Sequence, residues 1–185
     1  LDVRYEALGP DRGYAVHRAA LFNVLYDAVL AAGIPVEKTS LINGFDDGVL
    51  VLNQERRTAR FDLVVDALGA KSPLRRWTGD QSSGRVLEYG AVWASLPWPG
   101  APFDANALMQ RYDKAAVMIG VLPIGRVSAN DGEQAAFFWS LKHADMPGWR
   151  ARGLGAWKDE VLRHWPEVEG LIGHIQHADD LTLAR

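Results

Sequence analysis

The sequence contains no cysteine. Disulfides, thiolate metal sites and a cysteine nucleophile are thereby excluded, and a cytoplasmic protein fits. Long apolar runs are missing too. The longest, Ala115 to Gly125, is about half of the ~20 residues that a membrane-spanning helix needs, so no membrane partner is expected. Neither sign of charge dominates. The 20 basic and 23 acidic residues leave a net charge of −3, which gives no electrostatic footprint for nucleic acid. There is no G-x-G-x-x-G. RGLGAW at 152–157 lacks the third glycine and follows no strand. LDVRYEALG at the N-terminus has no apolar segment of the signal-peptide kind. What is present is an ordinary globular composition, 48% hydrophobic over 185 residues. That suffices for one large domain or two small ones.

Periodicity supplies the elements. RAALFNVLYDAVLAAG at 18–33 puts Leu21, Leu25, Ala28, Val29 and Ala32 on one helical face. Gly33 suits the left-handed residue that ends a helix, and Pro35 forbids its resumption. Strands are expected at 36–42 and 49–52 around the turn signal DDG, then at 61–67, where FDLVVDA reads as a strand buried on both faces. TGDQSSG at 78–84 reads as a linker. Beyond it, strands at 86–96, 107–112, 115–122 and 133–142 predict a largely antiparallel sheet. A helix weakened by Gly153 and Gly155 follows at 149–165, and a last strand at 181–184.

Two sets of residues carry chemistry. The first is FDLVVDALGAKSPLRR, a strand leading into a glycine turn and a helix start with Arg75 and Arg76. Gly69 lets a phosphate approach the backbone. Ser72 caps the following turn, with Pro73 in the first helical position. A plain strand-to-helix connection with solvated arginines accounts for the same letters. The second set is aromatic. Tyr89 and Trp93 share one face of their strand. Phe137 and Trp139 share a face of theirs, and Phe138 takes the other. Such strands are either packed between two layers or roof an apolar, ring-shaped ligand. HIQH at 174–177 with Asp179 and Asp180 has no third ligand fixed by its spacing, and no metal is expected there. His17 beside Arg18 reads as a helix-start residue or as the edge of a ligand site. QERRTAR at 54–60 reads as an exposed hairpin edge whose charges deter strand pairing.

These pieces, in this order, resemble the class A FAD-dependent monooxygenases of the aromatic-hydroxylase type. Gly69, Ala70, Ser72 and Arg75 match the family's Ala-Asp-Gly-Ala-x-Ser segment and its arginine. Arg18, Leu21 and Leu25 match its Arg-x-x-Leu-x-x-x-Leu helix. EYGAVWASLP, MQRYDKAAVMIGVLPIG and AAFFWSL resemble its substrate-covering sheet. The resemblance implies FAD as cofactor, NAD(P)H as co-substrate and hydroxylation of a small aromatic or apolar molecule. It assigns the flavin nucleotide to Arg18 and the pyrophosphate approach to Gly69, with no protein nucleophile. Leu68 stands where the family has its aspartate, and Asp66, on the same strand face, is the partial stand-in. Gln110, Val121 and Pro123 stand where hydroxybenzoate-type members use Tyr, Ser and Arg, so a simple hydroxybenzoate is not the expected substrate.

The expected fold is therefore an α/β FAD-binding-domain fragment over 1–78 plus an incomplete α+β substrate domain, with a mostly antiparallel sheet, over 79–185. Tyr89, Trp93, Phe138 and Trp139 are the expected pocket walls. The family's opening glycine motif and closing Gly-Asp segment have no counterpart here. The chain accordingly reads as the middle of such a protein, inactive by itself, and as a homo-oligomer through exposed strand edges. Same-scaffold flavin reductases or halogenases, and a non-catalytic module for apolar ligands, remain as alternatives.

Overall fold

The computed structural model describes residues 1–8, 13–69, 71–79, 87–114 and 116–184. Parts of four sequence expectations fall outside those residues: the linker over 80–84, the strand starts at 86 and 115, and Ala70 of the glycine turn. The chain divides into two compact units. One is Leu1–Val29 with Val86–Arg185, and the other is Leu30–Arg85.

The first unit is an α+β fold built on a six-stranded sheet. Its strands are β1 (Asp2–Arg4), β4 (Tyr89–Pro97), β5 (Ala107–Asp113), β6 (Val117–Gly125), β7 (Gln134–Lys142) and β8 (Thr182–Ala184); β2 and β3 belong to the second unit. The order across the sheet is β1-β5-β6-β7-β4-β8, and every pairing is antiparallel. The turn at Asp113 and Lys114 is tight enough to hold Lys114 at a φ of 51°. Period-two alternation decides what is buried. Val92, Ala94 and Leu96 of β4, Ile119 and Val121 of β6, and Ala135, Phe137, Trp139 and Leu141 of β7 form the core. Two helices complete it: α2 (Met146–His164), and α3 (Glu169–Gly173) after a short turn. Trp149, Trp157 and Val161 of α2, then Trp165, Val168, Leu171, Ile172 and Ile175, meet that face. The expected weakness of α2 is real. Gly153 sits at a φ of 81° inside the helix, a conformation open to glycine, and kinks it there.

α1 (Arg18–Ala31) forms where expected and ends at Gly33 with a φ of 67°. Its apolar stripe is another matter. No residue of α1 is buried, and Leu21, Phe22, Val24 and Leu25 are exposed.

The second unit holds the hairpin of β2 (Ile42–Asp46) and β3 (Val49–Leu52), turned by Asp47 and Gly48. Exposed ion pairs link Arg56 to Glu37, Arg57 to Asp46 and Arg60 to Asp47; such pairs each contribute little. Two expected strands are not formed. Residues 36–41 are irregular. FDLVVDA is likewise no strand, and Phe61, Leu63 and Val65 are exposed. The reason is the absence of a ladder. Phe61 donates its N–H to the Gly48 carbonyl at 2.9 Å, and among the described residues no strand pairs with those after it. Apolar composition alone does not make a strand without a neighbour to pair with. Among the described residues no FAD-binding fold is identified. The mostly antiparallel α+β sheet stands.

Candidate functional site

The face of the sheet turned away from α2 is the first candidate. Trp93, Phe138, Gly120 and Gln110 stand side by side in one row across β4, β7, β6 and β5. Gly120 is what shapes the row. A Cβ built on it would overlap the Phe138 ring, so that ring occupies the space a side chain would take. Gln110 is the polar member and is buried, at 7% exposure. Its Oε1 accepts the Tyr112 hydroxyl at 2.8 Å, and Tyr112 is half exposed. Among the neighbours on this face, Ala91, Met118, Leu122 and Ala136 are partly buried and apolar, and the buried Ser140 accepts the Met118 N–H at 2.8 Å; Lys142 lies farther along β7, beside Tyr89.

Two clefts flank the sheet ends. One, of about 310 Å³, lies between the segment leading into α1 and the ends of β6 and β7. Tyr5, Tyr14, Trp98, Asn106, Pro123 and Glu133 are among its walls. The His17 N–H donates to the Ile124 carbonyl at 2.7 Å, which ties the start of α1 to β6. His17 Nδ1 accepts the Ala19 N–H at 3.1 Å, so the imidazole caps the helix as its position suggested. The other cleft, of about 930 Å³, opens at the opposite end, where β7 passes into α2. Tyr89, Trp139, Lys142, Asp145, Trp149 and Arg152 line it, with charges of both signs.

The four expected pocket walls therefore separate. Trp93 and Phe138 meet on the outer face. Trp139 points into the core at 3% exposure, against Trp157, and shares the larger cleft with Tyr89. Tyr89 itself carries the Lys142 ammonium 5.3 Å from its ring centroid. Of the positions aligned with the family's substrate contacts, Gln110 is on the outer face, Val121 is in the core and Pro123 lines the smaller cleft. Gly120 went unnoticed in the sequence, although an isolated glycine inside a strand pattern signals a close approach.

Arg18 begins α1 in the first unit and is exposed. Asp66 and Gly69 belong to the second unit. Their turn is built as the sequence suggested. Ser72 caps the short helix Pro73–Trp77 by accepting the Leu74 N–H at 3.1 Å, and the Ser72 N–H donates to the Gly69 carbonyl. Gly69 holds a φ of 86°, and nothing lies within 4 Å of the Cβ position it leaves empty. The Asp66 carboxylate is occupied. One oxygen accepts the Ser72 hydroxyl at 2.6 Å and the other the Leu68 N–H at 3.0 Å. Leu68 is half exposed.

Those two bonds, the Ser72 hydroxyl first, hold the Asp66 carboxyl below the usual aspartate range. A lowered folded pKa stabilises the turn above the ordinary value near pH ~4, and that contribution is lost as pH falls through the lowered value. Ser72→Ala is expected to move the Asp66 titration upward, stopping short of the free value because the Leu68 N–H remains. Carboxyl carbon shifts followed against pH measure this. An unchanged titration in Ser72→Ala would show that the hydroxyl does not bind Asp66.

His174 and His177 are exposed, and among the described residues no three His, Asp or Glu side chains gather as a metal site. Among them also, no helix is long and apolar enough to cross a membrane. Compared with known proteins, the chain matches no family model, and no curated protein or solved structure matches it significantly.

Proposed function

We propose that this chain is part of an FAD-dependent, NAD(P)H-using monooxygenase that hydroxylates a small aromatic or apolar molecule against the outer face of its sheet. The observation that supports the reading is the His17–Ile124 bond. It starts the helix of the flavin-matching Arg18 at the margin of the sheet whose sequence resembles the family's substrate cover. The turn at 66–77 suits the cofactor in part. Gly69 offers open backbone for a pyrophosphate. Asp66 already serves its own turn. FAD, when bound, supplies the oxygen-transfer chemistry. The protein's part is to orient the substrate and exclude water, which Trp93, Phe138 and the uncharged residues beside them are suited to do.

The occupied Asp66 carboxylate favours a second reading, a non-catalytic module that binds an apolar ligand on the same face. One measurement separates them: the absorbance spectrum of protein made from the complete reading frame, purified without added flavin. Bands of bound oxidised flavin are expected. A colourless protein that also takes up no added FAD overturns the flavoenzyme in favour of the binding module. The 185-residue chain alone, supplied with FAD and NADPH, is expected to show no turnover.

A further inference from the structure

Gln110 is a buried polar side chain in a row, Trp93–Phe138–Gly120–Gln110, that carries no charge. Its carbonyl end is already held by the Tyr112 hydroxyl. A primary amide has two donors beyond its acceptor, and no partner in the described structure takes them. Fixing the oxygen fixes the plane of the amide, so the NH₂ group keeps one orientation. The row it belongs to continues through Gly120, where the Phe138 ring lies in place of a side chain, to Trp93. Neighbouring strands stand about 4.8 Å apart. A ring resting against Phe138 therefore brings a substituent oxygen within reach of Gln110. Lys142, a charged side chain on this face, lies at the far end of β7 with its ammonium over the Tyr89 ring, so no charged side chain stands in the row beside Gln110 to pair with a carboxylate or an ammonium.

From this arrangement we infer that Gln110 is a specificity-determining residue, donating its amide N–H to a neutral oxygen acceptor, a ketone, ester or amide carbonyl, on a flat aromatic ligand, with Tyr112 as the positioning residue behind it. This rests on the proposed function only in taking the outer face as the ligand face. It does not require flavin.

The probes are acetophenone, which has the acceptor, and ethylbenzene, which has nearly the same shape without it. Binding is followed on ¹⁵N-labelled chain through the Trp93 indole and Gln110 side-chain amide signals. One such hydrogen bond is worth about a fivefold difference in affinity. Acetophenone is expected to bind about fivefold more tightly than ethylbenzene and to move the Gln110 amide signals. Gln110→Leu should remove that advantage, bringing the two probes to similar affinities. Tyr112→Phe changes only a half-exposed hydroxyl and should reduce the preference to about twofold. Equal affinities in the unsubstituted chain, Gln110 signals that do not move, or no binding of either probe each overturn the inference. The flavin spectrum tests the other proposal separately. A colourless protein that still prefers acetophenone keeps this inference and loses the flavoenzyme; a yellow protein that binds both probes alike does the reverse.

Discussion

Replacing Gly120 by valine is expected to destabilise the sheet by about 2–3 kcal/mol. A Cβ at this position overlaps the Phe138 ring directly, and the obstruction sits in the middle of the sheet, where β6 is paired on both sides. Either the ring turns away or the strands part. With a urea dependence of about 1–3 kcal/mol per molar, the midpoint should fall by about 1 M or more. Shortening the obstructing side chain is the diagnostic step. Phe138→Leu in the same chain should recover about 1 kcal/mol or more relative to the sum of the two single changes, since residues in contact couple on that scale. Gly132→Ala is the control. Nothing lies within 4 Å of a Cβ there, so the change should stay within about 0.5 kcal/mol. A Gly120→Val protein that unfolds with the unsubstituted one would mean that the ring does not rest on Gly120, and the ligand face would lose its floor.

The sequence made the sheet legible and left the flavin-side elements half legible, and the difference is physical. β5, β6 and β7 follow one another through short connections and pair in that order, so local pattern and pairing agree, and β4 completes the sheet by pairing with β7. FDLVVDA has the composition of a buried strand but, among the described residues, no adjacent strand to pair with. The α1 stripe has the spacing of a packed helix, yet Leu21 and Leu25 are exposed. In both, composition reports what a segment can do, and only a partner decides whether it does it. At the site, the register of β4 on β7 places Trp93 beside Phe138, and alternation along each strand puts them on one face. Alternation also sets Trp139 opposite Phe138, which a list of aromatic pocket walls overlooked. The Gln110–Tyr112 bond joins residues two apart on β5, and no rule of spacing announces it.

Trp157→Ala should be the most damaging single truncation. Trp157 is 1% exposed. Its ring packs edge to face with Phe137, Trp139 and Trp149 at centroid distances of 6.1, 6.4 and 6.1 Å. Removing a buried indole costs about 3–5 kcal/mol through lost transfer energy and the cavity left behind. The kink at Gly153 lies between Trp149 and Trp157, so nothing in a continuous helix holds the two halves in register once the indole is gone. Trp157→Phe separates ring from polar group. The Trp157 indole N–H has no hydrogen-bond partner, and deleting a buried, unpaired donor removes a penalty along with some volume. It should therefore cost less than half of what alanine costs in urea unfolding. Near-ultraviolet circular dichroism gives the second readout: alanine should lose most of the signal of the packed indoles, and phenylalanine only part. Trp139 stands on the core side of β7 and Phe138 on the other. The phenylalanine variant should therefore keep the acetophenone preference, because its change reaches the outer face only through backbone that stays paired on both sides. A cost below about 1 kcal/mol for Trp157→Ala would place the helix elsewhere than against this sheet.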